Sequence, residues 1–323
     1  MSQKGDLMTA RSDIRVLDAT IRDGGLVNNF EFTDEFINAL YRANVKAGVD
    51  YMEFGYKASK ELFDVDKFGK WKFCSEEDLR AIVGDNNSDM KISIMADVGR
   101  CDYKTDIIDK KDSVIDMVRV ATYVHQMPTA IEMIEDAKAK GYEVTCNIMA
   151  ISNAKESDID QALEMVGQSS ADGIYIVDSY GSLYPEQIRS ISDKYMEVAE
   201  KYGKYIGMHA HNNQQLAFAN TIEATARGVS LLDATMMGMG RGAGNCAMEL
   251  LLSFLKNPKY NLFPVLKFIE EHMLPVKNSG AVWGYDIPYL LTGRLNQHPS
   301  AAIDYIKSKE TKYAEFYADL LEK

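Results

Sequence analysis

The chain has 323 residues, 46% of them hydrophobic, enough for one large α/β barrel or for two domains of ordinary size. Lys and Arg total 36 against 48 Asp and Glu, a formal net charge of −12 without a basic run, which argues against a nucleic-acid partner. No stretch approaches the roughly 18 continuous apolar residues of a membrane span, the amino terminus lacks an apolar signal core, and Cys74, Cys101, Cys146 and Cys246 show neither CxxC nor structural-zinc spacing; a cytoplasmic protein with reduced thiols is expected.

In chain order, a β-prone run at 16–21 leads into Arg22-Asp23-Gly24-Gly25. A helical pattern follows at 33–46, opened by Thr33 before an acidic turn and closed by Gly48. Further β-prone runs lie at 51–55, 91–96, 117–121, 143–148, 173–177, 205–209 and 231–236. Helical patterns alternate with them at 76–83, 105–111, 129–140, 156–168, 185–202, 214–227 and 247–256. Eight such units predict a TIM (β/α)8 barrel over 1–257. Helical patterns at 265–272 and 300–321 make 258–323 a small helical extension, packed on the barrel or on a partner subunit. The segment 56–73, rich in lysine and aromatics, is expected to act as a lid over substrate or as a subunit contact.

A barrel places chemistry at the carboxyl ends of its strands. His209 and His211 stand two apart at such an end, so both imidazoles point the same way and can share one divalent ion; the alternative is a pair of polar residues at a strand exit. Asp23 adds a carboxylate, or forms a turn before Gly24-Gly25. Asn245 adds an amide oxygen, or caps the last barrel helix. Two histidines, a carboxylate and open positions suit a catalytic divalent ion, manganese first, with magnesium, cobalt or zinc as alternatives. Arg22 is placed to serve as a fixed cation for a keto acid or its enolate, or forms a surface ion pair. Glu53 lies in an apolar run, where an acid needs a partner; it is expected to hold a ligand histidine or to orient Arg22. Arg119, Asn147, Asp178 and Ser179 occupy equivalent strand ends and are expected to contact substrate. The run Gly238-Met239-Gly240-Arg241-Gly242-Ala243-Gly244-Asn245 fails the dinucleotide pattern at Ala243 and follows the last strand rather than the first. Its glycines instead suit close approach of backbone amides to an anion, with Arg241 assisting or facing solvent.

These pieces together resemble the DRE-TIM metallolyase superfamily, nearest the 4-hydroxy-2-oxovalerate aldolase branch. The matching segments run from Leu17 to Gly25, from His209 to Asn213 with Ala219-Asn220, across Asp233-Ala234-Thr235, and from Gly238 to Asn245 with Glu249. The resemblance implies a divalent ion on Asp23, His209 and His211, and an enolate of pyruvate held by that ion and Arg22. It implies cleavage of a 4-hydroxy-2-oxo acid to pyruvate and an aldehyde, with a homo-oligomer and an aldehyde dehydrogenase partner as further expectations. The chain departs from the family in several places: the proton-transferring histidine three residues after the aspartate is Leu26 here, the loop after the eighth strand lacks the cysteine of related acyl-CoA lyases, and the carboxy-terminal extension diverges. Replacement groups are expected from the extension, at Tyr285, Tyr289 or His298. Two other functions fit the same residues: acetyl-CoA-dependent condensation with a keto acid, suggested by Arg241, and a non-catalytic metal-binding barrel, suggested by Leu26.

Overall fold

Alternating strands and helices produce a closed barrel of eight parallel strands joined in chain order. The structure is a computed structural model and describes residues 8–322; the expectation about a signal core rests partly on residues 1–7, which lie outside the described residues. The strands are β1 (Arg15–Asp18), β2 (Tyr51–Tyr56), β3 (Lys91–Asp97), β4 (Met117–Thr122), β5 (Glu143–Ile148), β6 (Gly173–Asp178), β7 (Tyr205–Ala210) and β8 (Leu231–Ala234). The barrel helices are α1 (Thr20–Asn28), α2 (Asp34–Ala47), α3 (Glu76–Val83), α4 (Tyr103–Asp106), α5 (Met127–Ala139), α6 (Glu156–Gln168), α7 (Pro185–Tyr202), α8 (Ala217–Ala226) and α9 (Met248–Phe254). Caps explain several of these starts: the Thr33 hydroxyl accepts from Phe36 N at 3.2 Å and Ser75 from Asp78 N at 3.1 Å.

Outward-facing strand residues such as Val16, Met52, Ile94 and Val118 are fully buried under the helices. The inward-facing ones form layers contributed by alternate strands. Tyr51, Met117, Tyr175 and Leu231, from β2, β4, β6 and β8, fill the lower layer with apolar bulk. Two residues further along the same strands stand Glu53, Arg119, Val177 and Asp233, all buried. A layer that usually carries branched aliphatics is therefore ionic, and it is the floor of the site.

The first βα unit differs from its expected form. β1 stops at Asp18, and Arg22 and Asp23 lie on α1 rather than on a strand end. The Asp18 carboxylate accepts from Thr20 N at 2.9 Å and from its hydroxyl at 3.0 Å, which turns the chain into the helix. Gly24 and Gly25 are helical; a Cβ on Gly25 would come within 2.2 Å of the Phe30 ring, so close packing requires glycine there. β8 likewise ends two residues before its expected limit, and 105–111 becomes the single turn α4 followed by a 3-10 turn at Lys110–Asp112.

Beyond the barrel lie α10 (Leu262–Phe268), a π-helical stretch at Ile269–Met273, α11 (Leu274–Asn278), α12 (Ile287–Arg294), α13 (Ser300–Ser308) and α14 (Tyr313–Leu321). The expected single helical stretch at 300–321 is broken at Lys309, whose φ is 60°. The extension packs on the barrel at several places: Phe268 meets Phe36 of α2 with ring centroids 5.2 Å apart, Trp283 Nε1 donates to the Met237 carbonyl at 3.0 Å, and Tyr289, Ala302, Phe316 and Leu320 cluster with Ala243. No helix among the described residues is long and apolar enough to cross a membrane.

Candidate metal centre

β7 ends at Ala210, so His209 points into the barrel and His211 follows just past the strand, its backbone bridged to Asn245. α1 brings Asp23 to meet them. One ligand atom from each of Asp23, His209 and His211 lies within 4.8 Å of the others, the only such group among the described residues. Asp23 Oδ2 stands 3.3 Å from His209 Nε2 and 3.6 Å from His211 Nε2.

The protonation states suit a cation. Burial pushes the His211 imidazole down to about 3, leaving it neutral and able to donate a lone pair. Burial disfavours the Asp23 carboxylate, yet His211, Arg22 and His209 around it hold its pKa well below the usual range. His209 Nδ1 lies 2.9 Å from Asp233 Oδ2, so the carboxylate accepts that ring N–H and turns the Nε2 lone pair toward Asp23. Asn245 adds a buried amide oxygen with no hydrogen-bond partner among the described residues, while its Nδ2 donates to the Met239 carbonyl at 3.2 Å. Burial and the Arg22 charge disfavour a charged His209, yet Asp23 and Asp233 raise its pKa, so an ion would displace a proton there; a carboxylate, two imidazoles and an orphaned amide oxygen fit a divalent ion. Gly240 permits this convergence, since a Cβ there would come within 2.1 Å of Asn245 Nδ2 and 2.7 Å of Asp23 Oδ1.

Arg22 is clamped rather than exposed. Its Nη1 donates to Asp23 at 2.6 Å and its Nε to Glu53 at 2.8 Å, while the guanidinium still borders the open cavity. The same Glu53 oxygen accepts Arg119 Nη1 at 2.8 Å, and Arg119 Nη2 donates to Asp233 at 2.6 Å. Asp23, Arg22, Glu53, Arg119, Asp233 and His209 thus form one closed ring of contacts. Its three carboxylates face two guanidiniums, leaving one negative charge for a cation to offset.

The structure corrects several expected roles. Of the two parts expected of Glu53 the structure shows the second: it orients Arg22, touches no histidine and lies outside the cavity lining. Arg119 is fully buried below the cavity, 4.2 Å over the Tyr175 ring, and cannot meet substrate. Asp178 accepts the backbone N–H groups of Ser182 and Leu183 at 3.0 and 3.3 Å, shaping the loop after β6. Tyr289 packs among the extension helices and Ala243, outside the cavity lining, and Tyr285 is 59% exposed in the loop before α12. His298 reaches the site only through Arg241, whose Nη1 is 3.0 Å from its Nε2. Asn147 and Ser179 do line the cavity, as do Leu26 and Arg241. The positioning part played by Asp233 had one visible trace in the sequence, an acid inside an apolar run. Lys72 and Tyr56, also on the cavity wall, lie in the aromatic-rich segment 56–73.

The HMGL-like family profile matches residues 13–267. The chain belongs to the HMGL-like family. An oxaloacetate decarboxylase of Mycobacterium tuberculosis is 32% identical over 260 residues, covering 77% of this chain and 72% of that protein. A 4-hydroxy-2-oxovalerate aldolase of Pelotomaculum thermopropionicum is 30% identical over 258 residues, covering 79% and 74%. Among solved structures, the N-terminal domain of a provisionally named aldolase from Bacteroides vulgatus superposes with a TM-score of 0.76 at 27% identity, over 91% of this chain and 96% of that one. The carboxyl transferase domain of Rhizobium etli pyruvate carboxylase shares the fold, with a TM-score of 0.67 at 15% identity over 90% and 53%. This HMGL-like chain, with its Asp-His-His triad, is a metal-dependent carbon–carbon lyase.

Asp233→Asn tests the outer support of that triad. It removes the charge that fixes the His209 N–H, and metal affinity should fall roughly 10–100-fold with little change in fold. Competition against a fluorescent chelator measures this, and wild-type affinity in the variant would show that Asp233 does not set the ligand tautomer.

Proposed function

We propose that this lyase cleaves a 4-hydroxy-2-oxo acid to pyruvate and an aldehyde. The observation that carries the reading is the clamped Arg22 guanidinium sharing one cavity with the Asp23–His209–His211 triad. A divalent ion there, manganese by preference for its mixed oxygen and nitrogen donors, would supply a Lewis acid for charge developing on the 2-oxo oxygen. Arg22 carries a permanent charge beside it: burial opposes that charge, but Glu53 and Asp23 raise its pKa well above normal. It holds the substrate carboxylate, or the enolate oxygen as the C3–C4 bond breaks. Arg100 and Arg241, on the same wall, favour an anionic substrate. The names of the aldolase relatives support the same bond cleavage.

Decarboxylation of a 2-oxo diacid is a second reading. The decarboxylase relative favours it, and so does Leu26, since loss of CO₂ from a β-keto acid needs no base for a hydroxyl proton. Manganese-loaded enzyme should release pyruvate and aldehyde in equal amounts from a panel of 4-hydroxy-2-oxo acids, followed with lactate dehydrogenase. Chelation should abolish the release and added manganese should restore it. Pyruvate from oxaloacetate alone would replace the aldolase reading by the decarboxylase one, and full turnover after chelation would end both.

A further inference from the structure

Lys72 closes the 3-10 turn Lys70–Lys72 in the connection between β2 and α3. Its backbone is pinned, with its N–H donating to Gly69 O at 3.0 Å and its carbonyl accepting from Ala58 N at 3.2 Å. The preceding Trp71 is fully buried, and its carbonyl presses on Gly55, where a Cβ would come within 1.9 Å. Lys72 is only 6% exposed, yet among the described residues its ammonium has neither an ion-pair nor a hydrogen-bond partner. Instead Nζ lies 4.3 Å from the ring centroids of both Tyr56 and Phe63, 5.2 Å from Phe30 and 5.8 Å from Phe68. Asp97, the last residue of β3, and Arg100 just beyond it act on its charge. Its one open side is the cavity that holds Arg22 and the triad. A buried lysine without a counter-ion is costly, offset here only by the faces of the rings, and such groups on a cleft wall concentrate at functional sites.

We propose that Lys72 is the proton-transfer group of this enzyme, taking the C4 hydroxyl proton of the substrate in the cleavage direction. This rests on the aldol reading. The hydroxyl O–H bond breaks and the proton passes to the neutral Nζ. The C4–O bond becomes a carbonyl, the C3–C4 electron pair moves into the enolate of pyruvate, and the aldehyde leaves. The ammonium then returns its proton to C3, giving pyruvate with no net proton change.

The other groups on the wall are poorer candidates. Leu26 carries no proton to exchange, and burial, together with the nearby acids, holds the Tyr56 phenol protonated. Arg22, Arg100 and Arg241 stay charged. Asp97 has its pKa raised by burial but remains a weaker base than an amine. Burial lowers the Lys72 ammonium to about 8 against the opposing pull of Asp97, so a neutral fraction is available near neutral pH.

The test compares manganese-loaded wild type, Lys72→Arg, Lys72→Met and Asp97→Asn on a 4-hydroxy-2-oxo acid across pH, with NMR titration of lysine-labelled apo-protein. A lysine resonance that is absent in Lys72→Met should titrate near 8 in the wild type. Wild-type kcat should climb with pH and level off above that value. Both Lys72 variants should lose roughly 10²–10⁴-fold in kcat with metal content and KM held. Asp97→Asn should move the limb to lower pH, because it removes a charge that favours the ammonium. Wild-type kcat in Lys72→Arg, a Lys72 titration at the ordinary lysine position, or an unmoved limb in Asp97→Asn would each overturn the assignment. A wild type that releases no aldehyde from any acid in the panel would overturn the aldol reading itself, whatever the variants do.

Discussion

Asp23→Asn should empty the metal centre while leaving the barrel folded. The substitution keeps the shape of the side chain that stands 3.3 and 3.6 Å from the two imidazoles, and removes its charge. Arg22 does not swing free, because its Nε bond to Glu53 remains. The ring loses its one excess negative charge, so the metal-free variant should melt no lower than metal-free wild type. Turnover is another matter: a Lewis acid contributes several kcal/mol to such a reaction, so kcat/KM should fall about 10³-fold or more. Elemental analysis after desalting, a thermal melt and pyruvate release form the check. A variant that keeps stoichiometric metal would remove Asp23 from the ligand set.

Arg119→Met should act in the opposite sense, on the fold first. Among the described residues Arg119 alone bridges Glu53 and Asp233 directly, and all three are buried. Without it two carboxylates face each other in a dry layer with Arg22, His209 and the Tyr175 hydroxyl, 3.0 Å from Asp233, to answer them. Breaking a buried ionic arrangement by removing one member costs about 3–5 kcal/mol, a fall in Tm on the order of 10 °C for a chain of this size. Metal affinity should fall as well, because Asp233, deprived of its guanidinium, draws a proton onto His209. Arg119→Met combined with Glu53→Gln should recover part of the lost stability, since neighbouring charges do not act additively. Calorimetry of the two variants reads this directly; identical melts for Arg119→Met and wild type would mean that the ionic layer is not maintained in solution.

Much of this architecture is legible in the sequence. Strand and helix periodicities alternate eight times, and the caps at Thr33 and Ser75 mark helix starts that the structure keeps. The histidines two apart at the end of β7 and the Arg-Asp pair after β1 are local signals, and the metal triad follows from them. The helical placement of Asp23 is not legible, because Ile21 and the two glycines read as a strand and a turn, while what decides the matter is the Asp18–Thr20 contact and the packing of Phe30 on Gly25. The ionic layer is hidden for another reason. Glu53, Arg119 and Asp233 each look like a lone charge in an apolar run, and their pairing exists only across the barrel. The extension escapes most completely. Tyr285 and His298 stand beside suggestive loops, but α12 carries apolar residues on all sides, and its packing against α13 and α14 decides which of its faces the site can reach.

The ring of contacts includes β8 through Asp233, and β8 is also the strand that pairs with both β1 and β7. Closing the barrel and completing the ring are therefore the same event. A nascent chain that has emerged only through β7 presents Glu53 and Arg119 without their last counterpart, and His209 without the carboxylate that orients it. The residues that complete the ion's support therefore leave the ribosome late, and a chain cut short before residue 233 lacks the carboxylate that finishes the site.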